Sequence, residues 1–534
     1  MRPNPGFPME KDCSEGRILF YFSGAMANEI NIPKTHLIMG LALPLAVLLG
    51  YFVAEPLDLG SVAVVVFVLV VLAIPLMLRW YHPLLVLAWN AAIAPAFLPG
   101  RPALWAMLAF GGLLCAVFSR AVSAQARFVI EPSIIKPLLA LTGVVVASAF
   151  LSGGFGLRLL GSNNYGGKSY FYFLAAVAGY FVLTSRRIPP QRARLYVALF
   201  FLGGLTSLLS ILAGLSSAHY TYLWLLFPPP LSMSQAAFGE RLNSSEGMLR
   251  LGELGTAGLA VYGYLLARFG VRGVLDLQRP WLLLLLSLAL IGGMLSGFRA
   301  FLLLFAFLFT VLFCLEGLHR TFYAPALLGL LLLGGVVVLP QADKLPMSVQ
   351  RTLSFLPGKF DYLAQANAAA TAEWRVEMWR QLLPEVPKSL LRCRGWNMDA
   401  RGYFTSVEIG DSLDRFSGFK FVGSFHNGPL SVLLPFGLYG AIAFVWFLVA
   451  GLRMLHRNWK YGSPALQRLN ALLLAAFTAR AIFFFGIYGS LEADMATFLG
   501  FLGLSAALNG ADAAPAPAES AVPGVDLTTE YVKA

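Results

Sequence analysis

The sequence predicts an all-α polytopic membrane protein with about 12–14 transmembrane helices and one large loop on its outer side. Three observations carry this reading. The 534-residue chain is 58% hydrophobic, with a mean hydropathy of +0.71. Only 12% of its residues are charged, where a soluble domain averages about 25%. The apolar residues fall into runs long enough to cross about 30 Å of hydrocarbon, separated by short polar connections. A string of soluble domains is excluded.

The runs are taken in chain order. Residues 1–35 are polar and mixed, read as a cytoplasmic segment without a cleavable signal of the usual form. The first apolar run starts near Leu37 and ends without a small-residue cleavage site, so it is taken as a retained span. Expected spans lie near 37–54, 60–78, 83–99, 102–118, 134–151, 169–184, 195–215, 251–267, 281–297, 299–316 and 323–340, a bundle occupying 36–340. Residues 341–425 form the largest extramembrane piece. Spans near 428–452, 465–484 and 491–508 complete a C-terminal group over 426–509. Some runs are short enough to be half-helices, so the expected count starts at twelve. The tail 510–534, rich in Ala and Pro, is expected to be disordered.

Orientation follows from the basic residues. The net charge is +12. In a membrane protein such an excess reads as positive-inside topology rather than nucleic-acid binding. With a cytoplasmic N-terminus, Arg79, Arg120, Arg186, Arg187, Arg192, Arg194, Arg268, Arg272, Arg279, Arg320, Arg453, Arg457 and Arg468 all fall in inside loops. The short outside loops hold few, such as Arg101, Arg158 and Lys168. The segments 216–250 and 341–425 are then outside. The four cysteines show neither paired nor metal-type spacing, so no disulfide framework is expected. Within the large loop, TAEWRVEMWRQLLPEV (371–386) repeats Trp374, Met378 and Leu382 at i, i+4, i+8 and predicts an amphipathic helix. It either lies on the membrane surface or packs on the end of the bundle.

Of the six histidines, only His219 and His426 are expected to face outward. An interfacial histidine is ordinarily structural, so His426 needs partners to count as a site. Charges at membrane depth supply them, because each costs at least about 2.5–3.5 kcal/mol at a helix centre. Arg250 and Glu253 open the span in MLRLGELGTAGLAVYGYLLA (248–267), and their i, i+3 spacing allows a pair. Arg299 follows a Ser-Gly break in GGMLSGFRAFLLLF (292–305), at the outer turn of a hairpin. Guanidinium groups bind phosphate oxygens bidentately, and a neutral imidazole takes up a proton near pH 7. This set suits a lipid-diphosphate donor and a hydroxyl acceptor. No metal-binding motif, phosphate loop or cofactor fingerprint is present, so no cofactor is expected.

The stretch FHNGPLSVLLPFGLYG (425–440) then carries a resemblance. His426-Asn427, nine residues, Gly437, two residues and Gly440 resemble the signature of the bacterial O-antigen ligase family, which includes O-antigen and exopolysaccharide polymerases. Arg299 in LSGFRA resembles the family's Ser-x-Arg turn, with Gly297 and Phe298 departing from its usual Ser-Arg. Arg250 resembles the arginine opening an earlier span, though the family's Asn-Pro-Asn is absent. Arg375, Trp379, Leu382, Pro387, Leu391 and Gly395 resemble its loop pattern. The similarity covers about residues 240–460, and the first half matches only in hydropathy.

The resemblance implies a metal-independent, inverting, GT-C-like membrane glycosyltransferase of the bacterial inner membrane, with its site facing the periplasm. The donor would be an undecaprenyl-diphosphate-linked glycan, and the acceptor lipid A-core sugar for a ligase or another glycan for a polymerase. A protein acceptor is a third option. His426 would be the general base, and Arg250 and Arg299 would hold the diphosphate. Asn427 would orient the imidazole or cap the following helix. Gly437 and Gly440 would let helices approach closely, and Glu253, Arg375 and Trp379 would support the site. A lipid-glycan flippase or transporter is the rival of a different class. It would want charges or broken helices near the midplane, often in repeated halves, whereas here the candidates gather at the outer face.

Overall fold

A computed structural model describes residues 77–98, 100–122, 128–156, 164–215, 218–230, 250–396, 398–399 and 425–510, with Met233 and isolated positions ahead of residue 77. The chain divides into two compact units, Met1–Pro75 and Leu76–Ala534. In the first, the few described positions are helical. The expected spans 37–54 and 60–78 and the tail beyond 510 lie almost wholly outside the described residues.

The second unit is helical. In chain order the elements are α1 (77–88), α2 (Leu104–Val122), α3 (Pro132–Leu151), α4 (Gly167–Leu183), α5 (Pro190–Leu215), α6 (Gly252–Val274), α7 (Pro280–Met294), α8 (Arg299–Leu315) and α9 (Tyr323–Val338). The loop elements α10 (Met347–Leu353), α11 (Tyr362–Leu382) and α12 (Val386–Ser389) come next, then α13 (Gly428–Tyr461), α14 (Gln467–Gly486) and α15 (Leu491–Asn509). A two-residue antiparallel pairing, Asn164–Tyr165 with Met398–Asp399, accompanies them. Among the described residues, eight helical segments are long and apolar enough to cross a membrane, and α4, α7 and α8 are shorter apolar helices. The chain is therefore an all-α polytopic membrane protein.

The expected span at 83–99 is not a continuous helix. Helix α1 ends at Ala88, and residues 91–95 run without helical structure. Pro95 has no N–H to give a helix, and the freed backbone groups pair elsewhere. Ala92 N–H donates to Thr206 Oγ1 at 2.8 Å. Ala94 and Ala96 donate to Leu226 and Leu225 carbonyls, each at 2.8 Å. Irregular backbone among membrane helices persists only where protein satisfies it.

Phenylalanines fill the centre. Phe436, Phe444, Phe447, Phe477, Phe484 and Phe498 are fully buried where α13, α14 and α15 meet. Helix α3 packs along α13, α4 along α15, α7 on α6, and α8 on α14. Helix α9 buries none of its residues, as suits an apolar helix facing lipid.

The expected inside loops gather at one end. Arg186 donates to the carbonyls of Leu78 and Arg79. Arg457 pairs with Glu131 at 2.7 Å, and Arg468 donates to the Arg268 carbonyl at 2.9 Å. The N-termini of α6, α8 and α13 and the turn after α14 lie at the other end, because each of these helices runs from one end to the other.

Candidate active site

The helix foreseen over 371–386 starts nine residues earlier, at Tyr362, and ends at Leu382 before Pro384. Asp361 caps it, its carboxylate accepting from Leu363 N–H at 2.7 Å. It packs on the bundle end: Met378 and Leu382 are buried against Phe425, Leu430 and Leu434, with Trp374 and Trp379 alongside. Trp379 Nε1 donates to the Phe425 carbonyl at 3.1 Å. The large loop thus grips the residue just before His426.

His426 stands at the mouth of α13 with φ +51°, a left-handed conformation. Asn427 is the N-cap, its side-chain oxygen accepting from Leu430 N–H at 3.0 Å. The imidazole is half-buried between two aromatic rings. Trp374 meets it edge-on at 5.3 Å, and Tyr488, in the turn after α14, at 5.4 Å. Burial pushes the Tyr488 hydroxyl up, Asp494 adds to this, and Arg480 and Arg375 oppose it. Tyr488 is therefore a neutral donor at pH 7.

Arginines converge beside this turn. Arg250 Nη2 and Arg351 Nε both donate to Asn367 Oδ1, at 3.1 and 2.5 Å. Arg351 also donates to the Gly297 carbonyl and to Thr371 Oγ1. Arg299 Nη2 donates to Ser354 Oγ at 3.0 Å, and its Nε to the Arg351 carbonyl at 3.4 Å. Gly297, at φ +72°, makes the tight hairpin turn, and a Cβ there would lie 4.0 Å from Arg250 Cγ. Arg375, one turn beyond Thr371, is half-buried, and its Nε is buried without a hydrogen-bond partner among the described residues. Burial pushes the Arg375 guanidinium down from its ordinary range, Tyr488 opposes this and Arg250 adds to it. Arg375 also acts electrostatically on Arg299. Four guanidiniums thus share one end of the bundle, and the Asn367 amide accepts from two of them.

A cavity of about 260 Å3 opens beneath, lined by Thr256, Ser296, Phe298, Phe301, Phe483 and Tyr488 among others. Its wall is mainly apolar, and it runs between α6, α8 and α14.

Not every sequence-derived residue joins the site. Among the described residues no ion pair links Arg250 to Glu253. Arg250 precedes the first turn of α6, so the helical i, i+3 spacing does not apply to it. The backbone carbonyl of Glu253 accepts from Ser207 Oγ. Gly437 lets α13 come close to α12. It breaks α13 at φ +58°, and its missing Cβ makes room for the Ser389 and Leu390 carbonyls at the end of α12. Gly440 faces Phe436 of its own helix. The backbone opened at this break is taken up by the loop: Leu438 N–H donates to the Leu390 carbonyl at 2.9 Å, and Gly395 N–H to the Pro435 carbonyl at 2.8 Å. Gly395, at φ +64°, leaves room for the Tyr170 hydroxyl, which accepts from Trp396 N–H at 2.9 Å. Pro387 and Leu391 are exposed. The side chain of His219 lies outside the described residues.

Arg351, Asn367 and Tyr488 were not foreseen. Tyr488 sits in a turn that the hydropathy pattern already put on the same side as Arg299, and that was a usable signal. Arg351 and Asn367 sit in a loop whose pairing has no sequence period.

The fold and site define a class: a polytopic membrane protein with a cluster of arginines and an aromatic-framed histidine at one end of its bundle. No protein-family model matches the chain, and no curated protein or solved structure matches it.

Proposed function

We propose that the chain is an O-antigen-ligase-like, GT-C-like glycosyltransferase that moves a glycan from undecaprenyl diphosphate to an acceptor hydroxyl. The observation that carries this reading is the convergence of Arg250, Arg299 and Arg375 beside the His426 turn, with one guanidinium nitrogen buried and, among the described residues, unpaired. His426 takes the proton of the acceptor hydroxyl. The oxygen attacks the anomeric carbon from the face opposite the diphosphate, and the carbon–oxygen bond to the diphosphate breaks with inversion. The leaving group departs with the bonding pair. Arg250, Arg299 and Arg375 balance its growing charge, a role that needs donors fixed before the reaction. Arg351 holds the Gly297 turn and Asn367 in place and is a positioning residue. In this reading the site faces the periplasm from the inner membrane, the polyprenyl chain reaches it through the bilayer, and the acceptor is lipid A-core sugar or another glycan.

The test is transfer from a purified lipid-linked glycan by the full-length protein in nanodiscs. His426→Ala is expected to lower the rate by about 10²–10⁴-fold, the usual worth of a general base, with unchanged thermal unfolding. Arg299→Ala is expected to lose transfer as well. Undiminished transfer by either variant removes that residue from its role. In cells, loss of the chain leaves long glycans on the carrier if it is a ligase and single repeat units if it is a polymerase.

A further inference from the structure

A charged concavity lies at the opposite end of the same helices. A cavity of about 1080 Å3 is lined by Arg194, Arg268, Arg272, Arg279 and Arg468, with Asp276 and Glu316 as its acids. Five cations against two carboxylates leave a formal excess of three positive charges.

Both acids are engaged by backbone. Helix α6 breaks at Gly270, at φ +68°, and the N–H groups of Val271 and Arg272 donate to the two oxygens of Glu316 at 2.9 and 3.0 Å. Asp276 Oδ1 accepts from Gln278 N–H at 3.0 Å. Among the described residues no ion pair neutralises any of the five arginines. Arg468 donates only to the carbonyl of Arg268, which ties the two sides of the basin together. A side chain at Gly270 would strike Glu316 and approach Arg468 Nε at 3.5 Å, so the basin's floor is built around that glycine.

Other arginines at this end are held singly, Arg186 on the Leu78 and Arg79 carbonyls and Arg457 on Glu131. These five enclose a volume instead, and aromatic rings line or border it. Tyr323 and Trp459 are in its wall, and Phe269 meets Trp281 edge-on at 5.7 Å beside it. Aromatic residues at this level mark the boundary between head groups and hydrocarbon, so a ligand here arrives from the bilayer.

We propose that this basin is a binding site for the phosphate of an anionic phospholipid head group. Basic pockets between transmembrane helices take such head groups, and guanidiniums clamp phosphate oxygens in pairs.

The experiment uses the full-length protein in nanodiscs holding an equimolar mixture of phosphatidylglycerol and phosphatidylcholine, with native mass spectrometry of the lipids retained on release. The expected result is enrichment of phosphatidylglycerol that falls about tenfold or more in the Arg268→Gln/Arg272→Gln/Arg279→Gln variant. Enrichment is expected to persist in Arg79→Gln/Arg453→Gln, which removes two arginines at the same end but outside the basin. The Arg268→Lys/Arg272→Lys/Arg279→Lys variant keeps the charge and is expected to recover most of it, which separates lipid binding from misfolding. Equal retention of the two lipids, or equal loss in the control pair, overturns the proposal. So does displacement of phosphatidylglycerol by low-millimolar inorganic phosphate, which would identify a soluble anion as the ligand.

Discussion

Among the described residues only Arg101 and His426 hold a positive φ without being glycine. For a non-glycine residue such a conformation costs of the order of 1–3 kcal/mol and persists where its surroundings impose it. Around His426 those surroundings are the Asn427 cap, the Trp379 bond to the preceding carbonyl, and the rings of Trp374 and Tyr488. The strain aims the imidazole between the rings instead of back along α13. Asparagine tolerates the left-handed region and β-branched residues do not. His426→Asn is therefore expected to unfold at nearly the parent temperature while losing transfer, and His426→Val to lose about 1–3 kcal/mol in addition. Thermal unfolding beside a transfer assay checks both.

At the scale of elements, the break in α13 decides how the large loop is held. A continuous helix through Pro435 and Gly437 would pair the Pro435 carbonyl and Leu438 N–H within α13 and leave the loop's Leu390 carbonyl and Gly395 N–H without those partners. Gly437→Ala is expected to cost about 2–5 kcal/mol, combining the left-handed penalty with overpacking against α12. Limited proteolysis of the loop should show it first, with faster cleavage in the variant than in the parent. Sequence periodicity located α11, because its face repeats Trp374, Met378 and Leu382, and hydropathy, summed over many residues, located the described spans from α2 onward. Neither located the end of α1 or the start of α11. The first depends on which distant carbonyl takes a freed N–H, as Leu225 and Leu226 do for residues 94–96, and the second on the Asp361 cap. The Arg250–Glu253 pairing failed for a related reason: spacing rules presuppose a helix, and Arg250 stands outside one.

For the whole molecule, the buried pair of Arg480 and Asp494 joins α14 to α15 just below the histidine turn. Asp494 also accepts from Ser490 N–H at 2.8 Å, fixing the start of α15. Breaking such a pair from one side strands a buried charge and costs about 3–5 kcal/mol. Arg480→Met is thus expected to lower the unfolding temperature sharply, and Arg480→Met/Asp494→Leu to recover most of the loss. Recovery in the double variant is the outcome that checks it. Hydropathy and charge bias made the bundle and its two ends legible. The candidate site was half legible, since Arg250, Arg299 and His426 carry sequence signals, whereas Arg351 and Asn367 earn their places only through hydrogen bonds made after folding.

The docking of residues 389–396 into the opened turn of α13 also bears on how such a protein can be recombined. The loop's last residues share hydrogen bonds with Pro435 and Leu438, and Gly395 and Trp396 fit around Tyr170 of α4. A chimera spliced at residue 425, the natural seam between loop and helix by hydropathy, would cut through one interlocked unit. The exchangeable module runs from the start of α10 to past Gly440, and it carries with it a matching surface on α4.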